Sequence, residues 1–228
     1  MNPTPDPRRP LSMGTRTPDT ILLTGFEPFD QWSANPSWEI ARHLNGQVIG
    51  GLRVVARMLP VDWERTWPVL RDAISETRPG SVLMLGLASR RSCISVESRG
   101  LNMCDGKPDN AGNVAPTQAI DSGGSEELLC TVPVELMVSS IQGLGLPVEK
   151  SESAGGYLCN YALYKALAWA KTEPDPPPIG FIHVPNLPDA SPEFAGMDLA
   201  DMIKSVRSAI TAIAESSKSN LFSLTSDI

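Results

Sequence analysis

Short segments that are apolar on both faces alternate along this chain with segments of helical periodicity. Thr20–Thr24 and Ser81–Leu85 are typical of central strands, because a strand that is covered on both sides needs no polar face. Parallel strands require long crossover connections, which are usually helices. The alternation therefore predicts an α/β fold: a three-layer α/β/α sandwich with a mostly parallel (mixed) central sheet. In such folds ligands bind beyond the carboxyl ends of the strands.

The same patterns predict the individual elements and one domain. Strands are expected at Thr20–Thr24, Leu52–Leu59, Ser81–Leu85, Cys93–Ser98, Val148–Ser151 and Ile179–Val184. Helices are expected at 36–44, Val61–Thr77, Pro133–Gln142, Leu158–Lys171 and Ala195–Glu215, the second broken or bent at Pro68. Residues 1–19 are rich in Pro, Thr and Arg and are expected to form a flexible leader, followed by a single domain over 20–217 and a tail over 218–228.

The charge balance excludes some classes of partner. The chain carries 26 acidic and 19 basic residues, a formal charge of −7, which argues against non-specific binding of nucleic acid. No segment approaches the roughly 20 apolar residues that a membrane span needs. Arg8–Arg9 is followed by polar residues, so an export signal is not indicated. These observations predict a cytoplasmic protein that binds neither nucleic acid nor membrane.

The cysteines suggest one candidate nucleophile. Four cysteines, at positions 93, 104, 130 and 159, form no Cys-x-x-Cys pair and have no neighbouring histidine, so neither a zinc site nor a redox dithiol is predicted. Cys159 follows two turn glycines and begins a helical pattern. At a helix N-terminus, free N–H groups and the positive end of the dipole favour a thiolate and can hold an oxyanion. The alternative is a small buried hydrophobe, the role assigned to Cys104 and Cys130.

A histidine and a glutamate are candidates for the other catalytic positions. His183 ends an apolar strand before Pro185, where a side chain faces the crevice above the sheet. His43 lies on the polar side of its helix and is expected to be exposed. Alternation places Glu97 opposite Ile94 and Val96, so that it can orient His183 if both reach one crevice. The alternatives are a packing histidine and a surface carboxylate.

Two loops have the composition of recognition segments. Phe26 and Phe29 follow the first strand directly, and their rings are expected either to sandwich a flat apolar group or to fill the core. Pro108–Asn113 has the composition of a turn, which can order a substrate loop if it lies beside the same crevice.

The ordered set of motifs resembles the pyroglutamyl peptidase I family, the pyrrolidone-carboxylate peptidases. The matching segments are Gly25–Phe29, Asn35–Pro36, Leu59–Val61, Pro108–Asn110, Ser153–Asn160 and Gly180–Pro185. The resemblance implies a cytoplasmic cysteine exopeptidase that removes an N-terminal pyroglutamyl residue from small peptides through a thioacyl-enzyme. It implies Cys159 as nucleophile, His183 as base and Glu97 as the orienting acid, with no cofactor, no metal and an assembly as a dimer or tetramer. The residues it places around the substrate are Phe26, Phe29, Asn35, Leu87 and Tyr157.

Departures from the family pattern concern the substrate loops. Gly86–Arg91 stands where the family has Gly-Gln-Ala-Gly-Gly-Arg, so Leu87 replaces an amide and Ser89–Arg90 replaces two glycines. Ser98 stands where the family has arginine, and Asp105–Asn110 is one residue shorter than Asp-Ala-Arg-Ile-Pro-Asp-Asn. A site that lacks some of the hydrogen bonds to its substrate discriminates less sharply between that substrate and similar compounds. Two alternatives therefore remain: a related amidase of shifted substrate preference, and a non-enzymatic, peptide-binding descendant of the same fold.

Overall fold

The computed structural model describes residues 17–30, 34–115, 117–188, 190 and 195–225. The strands among these residues are β1 (Thr17–Phe26), β2 (Val48–Ile49), β3 (Leu52–Leu59), β4 (Pro79–Leu87), β5 (Ile94–Glu97), β6 (Arg99–Leu101), β7 (Glu127–Leu129), β8 (Val148–Ser151) and β9 (Ile179–Val184). The helices are α1 (Pro36–Leu44), α2 (Thr66–Thr77), α3 (Val134–Gln142), α4 (Leu158–Ala170) and α5 (Leu199–Thr225). Each strand and helix expected from the sequence has a counterpart here, with differences at some boundaries.

One mixed sheet organises the molecule. Its seven strands follow the order β2-β3-β1-β4-β9-β5-β8. The centre is parallel, since β1 pairs with β3 and β4, and β4 pairs with β9. β5 runs antiparallel to β9 and β8 runs parallel to β5, so this end of the sheet runs in the opposite direction. The predicted mostly parallel, mixed sheet is confirmed.

Helices cover both faces of this sheet. α1, α3 and α5 pack on one face, while α2 and α4 pack on the other. The residues of β1 illustrate the division: Ile21 and Leu23 contact the first group, Leu22 contacts the second, and all three are fully buried. Each such side chain stabilises the fold by about 1.5–3 kcal/mol relative to exposure. The apolar strand pattern thus arises from two cores that share one sheet.

The last helix belongs to the first of these cores. α5 spans 27 residues, and Met202, Val206 and Ile210 on its apolar stripe are fully buried. Packing against the sheet and its neighbouring helices accounts for this stripe. Among the described ranges, no helix combines the length and the apolar character that crossing a bilayer requires.

The start and end of α1 follow from its sequence. Asn35 is the N-cap residue, and its side chain accepts a hydrogen bond from the Ser37 N–H at 3.1 Å. Pro36 occupies the first helical position, where its missing N–H has no consequence. The helix ends at Leu44, before Asn45, as predicted, and His43 is exposed.

The second helix begins later than predicted. The expected helix from Val61 with a break at Pro68 is wrong, because α2 begins at Thr66 and Pro68 lies in its first turn. A proline there removes no intrahelical hydrogen bond. The preceding residues form a turn in which Asp62 Oδ1 accepts hydrogen bonds from the N–H groups of Glu64 and Arg65, both at 2.8 Å.

The described elements extend beyond the expected domain at both ends. β1 begins at Thr17, whose N–H donates to the Arg78 carbonyl at 2.7 Å, so residues 17–19 of the expected leader belong to a strand. Residues 218–225 of the expected tail belong to α5. The remainder of both segments, including Arg8–Arg9, lies outside the described residues.

Candidate active site

A cavity of about 290 Å³ lies beyond the carboxyl ends of the central strands. Phe26 and Leu87 line it from the ends of β1 and β4, and His183 lines it from β9. Cys159 lines it from the first turn of α4. This position agrees with the expectation that an open parallel sheet binds ligands at its carboxyl edge.

A glycine turn leads into the helix that carries Cys159. Gly155 has φ 80°, a conformation that residues with a Cβ rarely adopt. A Cβ on Gly156 would lie 2.9 Å from the Asp105 Cβ, so this position has no room for a side chain. Tyr157 is the N-cap residue, and no side chain caps α4 within the described part of the chain. The first N–H groups of α4 therefore lack intrahelical acceptors and can serve a ligand oxygen.

The histidine and the glutamate lie on adjacent antiparallel strands. His183 Nδ1 is 2.7 Å from Glu97 Oε1. In the β5–β9 register Ser95 is opposite His183 and Glu97 is opposite Phe181, so these side chains share one face of the sheet. Glu97 is fully buried and His183 is 4% exposed. The Phe181 ring packs against the imidazole with centroids 4.8 Å apart, which limits how the ring can rotate.

Gly86 places the cysteine and the histidine on the same side of the sheet. His183 is its register partner on β9. A Cβ built on Gly86 would lie 2.7 Å from Cys159 Sγ, so the sulfur occupies the space above this glycine. The structure thus brings the three predicted catalytic residues together: Cys159 and His183 face the cavity, and Glu97 lies behind the imidazole.

The electrostatics of Cys159 differ from the expectation of a stabilised thiolate. Part of the residue is accessible, but burial of the thiol, followed by the Glu97 charge, raises the pKa of Cys159 to about 12. Lys107, Arg91 and the amide of Cys159 itself act in the opposite direction and do not offset burial. The resting sulfur is therefore a thiol, and a base has to remove its proton before or during attack.

Glu97 is ionised despite its burial. Burial alone would raise the pKa of the carboxyl, but the hydrogen bond and charge of His183, followed by a hydrogen bond from Ser151 and the charge of Arg91, outweigh it and hold the pKa of Glu97 below its usual value. A buried carboxylate beside Nδ1 fixes the imidazole tautomer that leaves Nε2 free to act as the base.

Aromatic rings form one wall of the cavity. Phe29 and Tyr157 lie with their ring centroids 6.2 Å apart, and Trp63 packs edge-on against Tyr157 at 5.5 Å. The Tyr157 hydroxyl donates to the Pro108 carbonyl at 2.9 Å, which connects this wall to the shortened loop. Lys107 Nζ lies over both rings, 5.3 Å from the Phe29 centroid and 4.9 Å from that of Tyr157.

All five residues expected around the substrate line this cavity: Phe26, Phe29, Asn35, Leu87 and Tyr157. The side-chain amide of Asn35 nevertheless forms hydrogen bonds within the protein. Its Oδ1 accepts from the Ser37 N–H and hydroxyl, at 3.1 and 2.8 Å, and its Nδ2 donates to the Glu27 carbonyl at 3.1 Å. Its amide therefore shapes the cavity wall and has little capacity left for a ligand.

Three residues at this site had not been identified from the sequence as functional. Arg91 contacts Glu97, Lys107 covers the aromatic wall, and Trp63 supports Tyr157. Trp63 is held by Asp109, whose Oδ2 accepts from its backbone N–H at 3.1 Å. The contacts of Trp63 and of Lys107 join segments that are distant along the chain, so no local pattern signals them. Arg91 is only six residues from Glu97 and ends the Gly86–Arg91 segment that resembles the family motif, which is the signal that could have identified it.

The remaining cysteines lie outside the cavity lining. Cys93, Cys104 and Cys130 are free and partly buried. Cys104 and Cys130 pack against the apolar cores, in agreement with the packing role expected for them. Burial also raises the pKa of Cys130 to about 12.

Comparison with known proteins gives one consistent family. The chain matches the family model for pyroglutamyl peptidase over residues 19–216. It is 38% identical over 178 residues to a pyrrolidone-carboxylate peptidase of Escherichia fergusonii, covering 78% of this chain and 83% of the relative. The pyrrolidone carboxyl peptidase from Thermococcus litoralis superimposes with a TM-score of 0.85 at 34% identity, covering 89% of this chain and 96% of that one. Pyroglutamyl peptidase I from Bacillus amyloliquefaciens gives 0.83 at 30% identity, covering 86% and 95%.

Proposed function

Because this chain belongs to the pyroglutamyl peptidase family, whose members are cysteine peptidases, we propose that Cys159, His183 and Glu97 are its catalytic residues. The observation that supports this assignment is the 2.7 Å contact between His183 Nδ1 and Glu97 Oε1, next to a cavity that His183 shares with Cys159. The enzyme hydrolyses peptides that carry an N-terminal pyroglutamyl residue.

In the proposed reaction His183 transfers protons while Cys159 carries the acyl group. Nε2 of His183 accepts the thiol proton as the sulfur attacks the pyroglutamyl carbonyl, and the first amides of α4 stabilise the oxyanion. His183 then donates this proton to the leaving amine as the C–N bond breaks and the thioester remains. A water molecule, deprotonated by His183, attacks the thioester, and the products are pyroglutamate and the regenerated thiol.

The cavity suits a small neutral ring. Phe26, Phe29 and Tyr157 supply apolar and aromatic surface, and a pyroglutamyl ring has no charged amine that would need a carboxylate partner. Leu87 is 7% exposed and lies at the cavity. Because its side chain cannot hydrogen-bond the ring amide, we propose a weaker preference for pyroglutamyl over other blocked amines than a glutamine at this position would give.

Release of a fluorophore from pyroglutamyl-coumarin tests these assignments. We expect wild type to turn over the substrate, and Cys159→Ala and His183→Ala to lose at least about 10³-fold in kcat/KM. The matched control is His43→Ala, because His43 is an exposed histidine on α1, away from the cavity. Activity retained in folded Cys159→Ala would exclude Cys159 as the nucleophile.

A substrate panel separates the peptidase from a related amidase. Acetyl and free aminoacyl coumarins are compared with the pyroglutamyl compound at equal concentration. Faster release from the acetyl compound would favour an amidase of shifted substrate preference. The apolar side chain of Leu87 supports this alternative, because it cannot hydrogen-bond the ring amide. No release from any compound by folded wild type would favour a peptide-binding descendant.

Location and assembly remain predictions. We propose a cytoplasmic enzyme that forms a dimer or tetramer. Cell fractionation tests the first statement, and light scattering during size-exclusion chromatography tests the second. A monomer at micromolar concentration would contradict the expected assembly.

A further inference from the structure

We propose that Arg91 is a positioning residue for this site: its guanidinium holds the Glu97 carboxylate in place and joins it to the turn that precedes Cys159. The inference rests on the proposed catalytic roles of Glu97, His183 and Cys159. Arg91 does not need to touch the substrate in order to act in this way.

The contacts of Arg91 connect two parts of the active site. Its Nη1 is 2.7 Å from Glu97 Oε1, and its Nη2 donates to the Ser153 carbonyl at 2.8 Å. Glu97 Oε1 is therefore shared between Arg91 and His183 Nδ1, both at 2.7 Å. The Arg91 side chain is 28% exposed, whereas the Glu97 side chain is fully buried. A partly accessible cation thus reaches inward to a buried anion.

The charge of Arg91 is suited to this task because a guanidinium does not titrate in proteins. During the reaction His183 alternates between neutral and protonated forms. If Arg91 were absent, Glu97 would have no positive partner whenever His183 is neutral, and a buried carboxylate without such a partner tends to become protonated. Arg91 keeps the carboxylate ionised at that stage, so Nδ1 of His183 retains a charged acceptor throughout.

The second contact acts on the position of the nucleophile. Ser153 begins the turn that continues through Gly155 and Gly156 to α4. Because Arg91 holds the Ser153 carbonyl and the Glu97 carboxylate with two nitrogens of one planar group, the turn and β5 keep a fixed separation. A lysine has a single ammonium and cannot reproduce this fork geometry.

The titratable and charged groups around this cluster come from several elements. They are Glu97 on β5, His183 on β9, Glu149 on β8, Cys159 on α4, and Cys93, Cys130 and Lys107 in loops. Removing a fixed positive charge raises the pKa of every neighbouring acid, whether carboxyl, thiol or imidazolium. A neutral residue at position 91 should therefore move the acidic limb of the pH profile upward, whichever of these groups controls it.

The experiment compares Arg91→Gln and Arg91→Lys with wild type. The surface control is Arg57→Gln, which removes the same charge from an exposed pair with Glu76. In Arg91→Gln we expect kcat to fall roughly 10- to 100-fold with KM within about twofold, and the acidic limb of kcat/KM to rise by about one pH unit. In Arg91→Lys we expect the acidic limb of kcat/KM to stay near its wild-type position, because the positive charge is kept. We expect kcat to remain reduced, because a single ammonium cannot hold both the Glu97 carboxylate and the Ser153 carbonyl. Arg57→Gln should match wild type in both respects.

Alkylation of Cys159 by iodoacetamide supplies a readout that does not require turnover. Its pH dependence should shift upward in Arg91→Gln, with the modified cysteine identified by mass spectrometry. An unchanged acidic limb and an unchanged alkylation profile in folded Arg91→Gln would overturn the proposal, even if kcat fell. If Arg91→Gln does not fold, wild-type kcat in Arg91→Lys would overturn it. Inactive wild type, or activity in Cys159→Ala, would instead contradict the proposed function itself.

Discussion

Gly86→Ala tests whether the space above this glycine sets the position of the nucleophile. A Cβ at residue 86 would lie 2.7 Å from Cys159 Sγ and 2.7 Å from Phe181 Cζ. Ordinary non-bonded contacts of heavy atoms lie near 3.5–4.0 Å, so the sulfur or the glycine backbone has to move by about 1 Å. The Phe181 ring is fully buried and packs against His183, so it cannot move aside without disturbing the imidazole.

The expected consequences concern both rate and stability. A misplacement of about 1 Å in a catalytic group costs on the order of 100-fold in kcat. Overpacking of a filled interior costs about 1–3 kcal/mol in the free energy of unfolding. For a chain of this size each kcal/mol corresponds to roughly 2–4 °C in Tm. We therefore expect Gly86→Ala to fold with a lower Tm and to lose about 100-fold in kcat.

The assay measures release of coumarin together with thermal unfolding by circular dichroism. Gly123→Ala is the matched control, because the nearest atom to a Cβ at Gly123 is 4.0 Å away. We expect this variant to keep the wild-type kcat and Tm. If folded Gly86→Ala had a kcat within about twofold of Gly123→Ala, the inference that Gly86 sets the sulfur position would be refuted.

Three further predictions follow from other residues. The pKa of Glu97 in the folded state is lowered from its usual value of 4.5, so ionisation of this carboxyl stabilises the fold above that pH, and the stabilisation is lost as the pH falls through the folded-state pKa. The difference in unfolding free energy between wild type and Glu97→Gln, measured by urea denaturation, should therefore shrink below about pH 4.5. A difference that stays constant with pH would contradict this. Leu87→Gln should lower KM for pyroglutamyl-coumarin up to about 10-fold, as one added hydrogen bond of about 0.5–1.5 kcal/mol allows, and a KM unchanged relative to Leu87→Met would count against a ring contact at this position. Arg78 ends α2 with φ 43°, so Arg78→Gly should raise the unfolding free energy by roughly 0.5–1 kcal/mol, whereas a loss of stability would indicate that the Arg78 side chain contributes more than its backbone strain costs.

The layers and the core strands were predictable because burial on two faces leaves a strong local signal. β3, β8 and β9 begin and end where the apolar patterns place them. β2, β6 and β7 were not predicted, because each has only two or three residues and depends on partners elsewhere in the chain. The start of α2 was placed too early because the apolar pattern continues through Val61 and Trp63, which are buried although the Asp62 side chain holds this segment in a turn.

The site was predictable only as far as local signals reach. Glycines before Cys159 and a proline after His183 identified two candidates, and strand alternation identified the face of Glu97. The thiol pKa was predicted in the wrong direction, because the helix terminus was considered without the burial that outweighs it. The bond between Arg91 and Ser153 joins residues 62 positions apart, so only the folded chain reveals it.

The internal use of the Asn35 amide has a consequence for inhibitor chemistry. The Asn35 side chain accepts two hydrogen bonds from Ser37 and donates one to the Glu27 carbonyl, so it is held firmly in the wall and has at most one N–H left for a ligand. Selectivity in this part of the cavity then depends more on the shape of the ligand than on its polarity. Flat five-membered rings that differ in their heteroatoms are accordingly a sensible first series of competitive blockers.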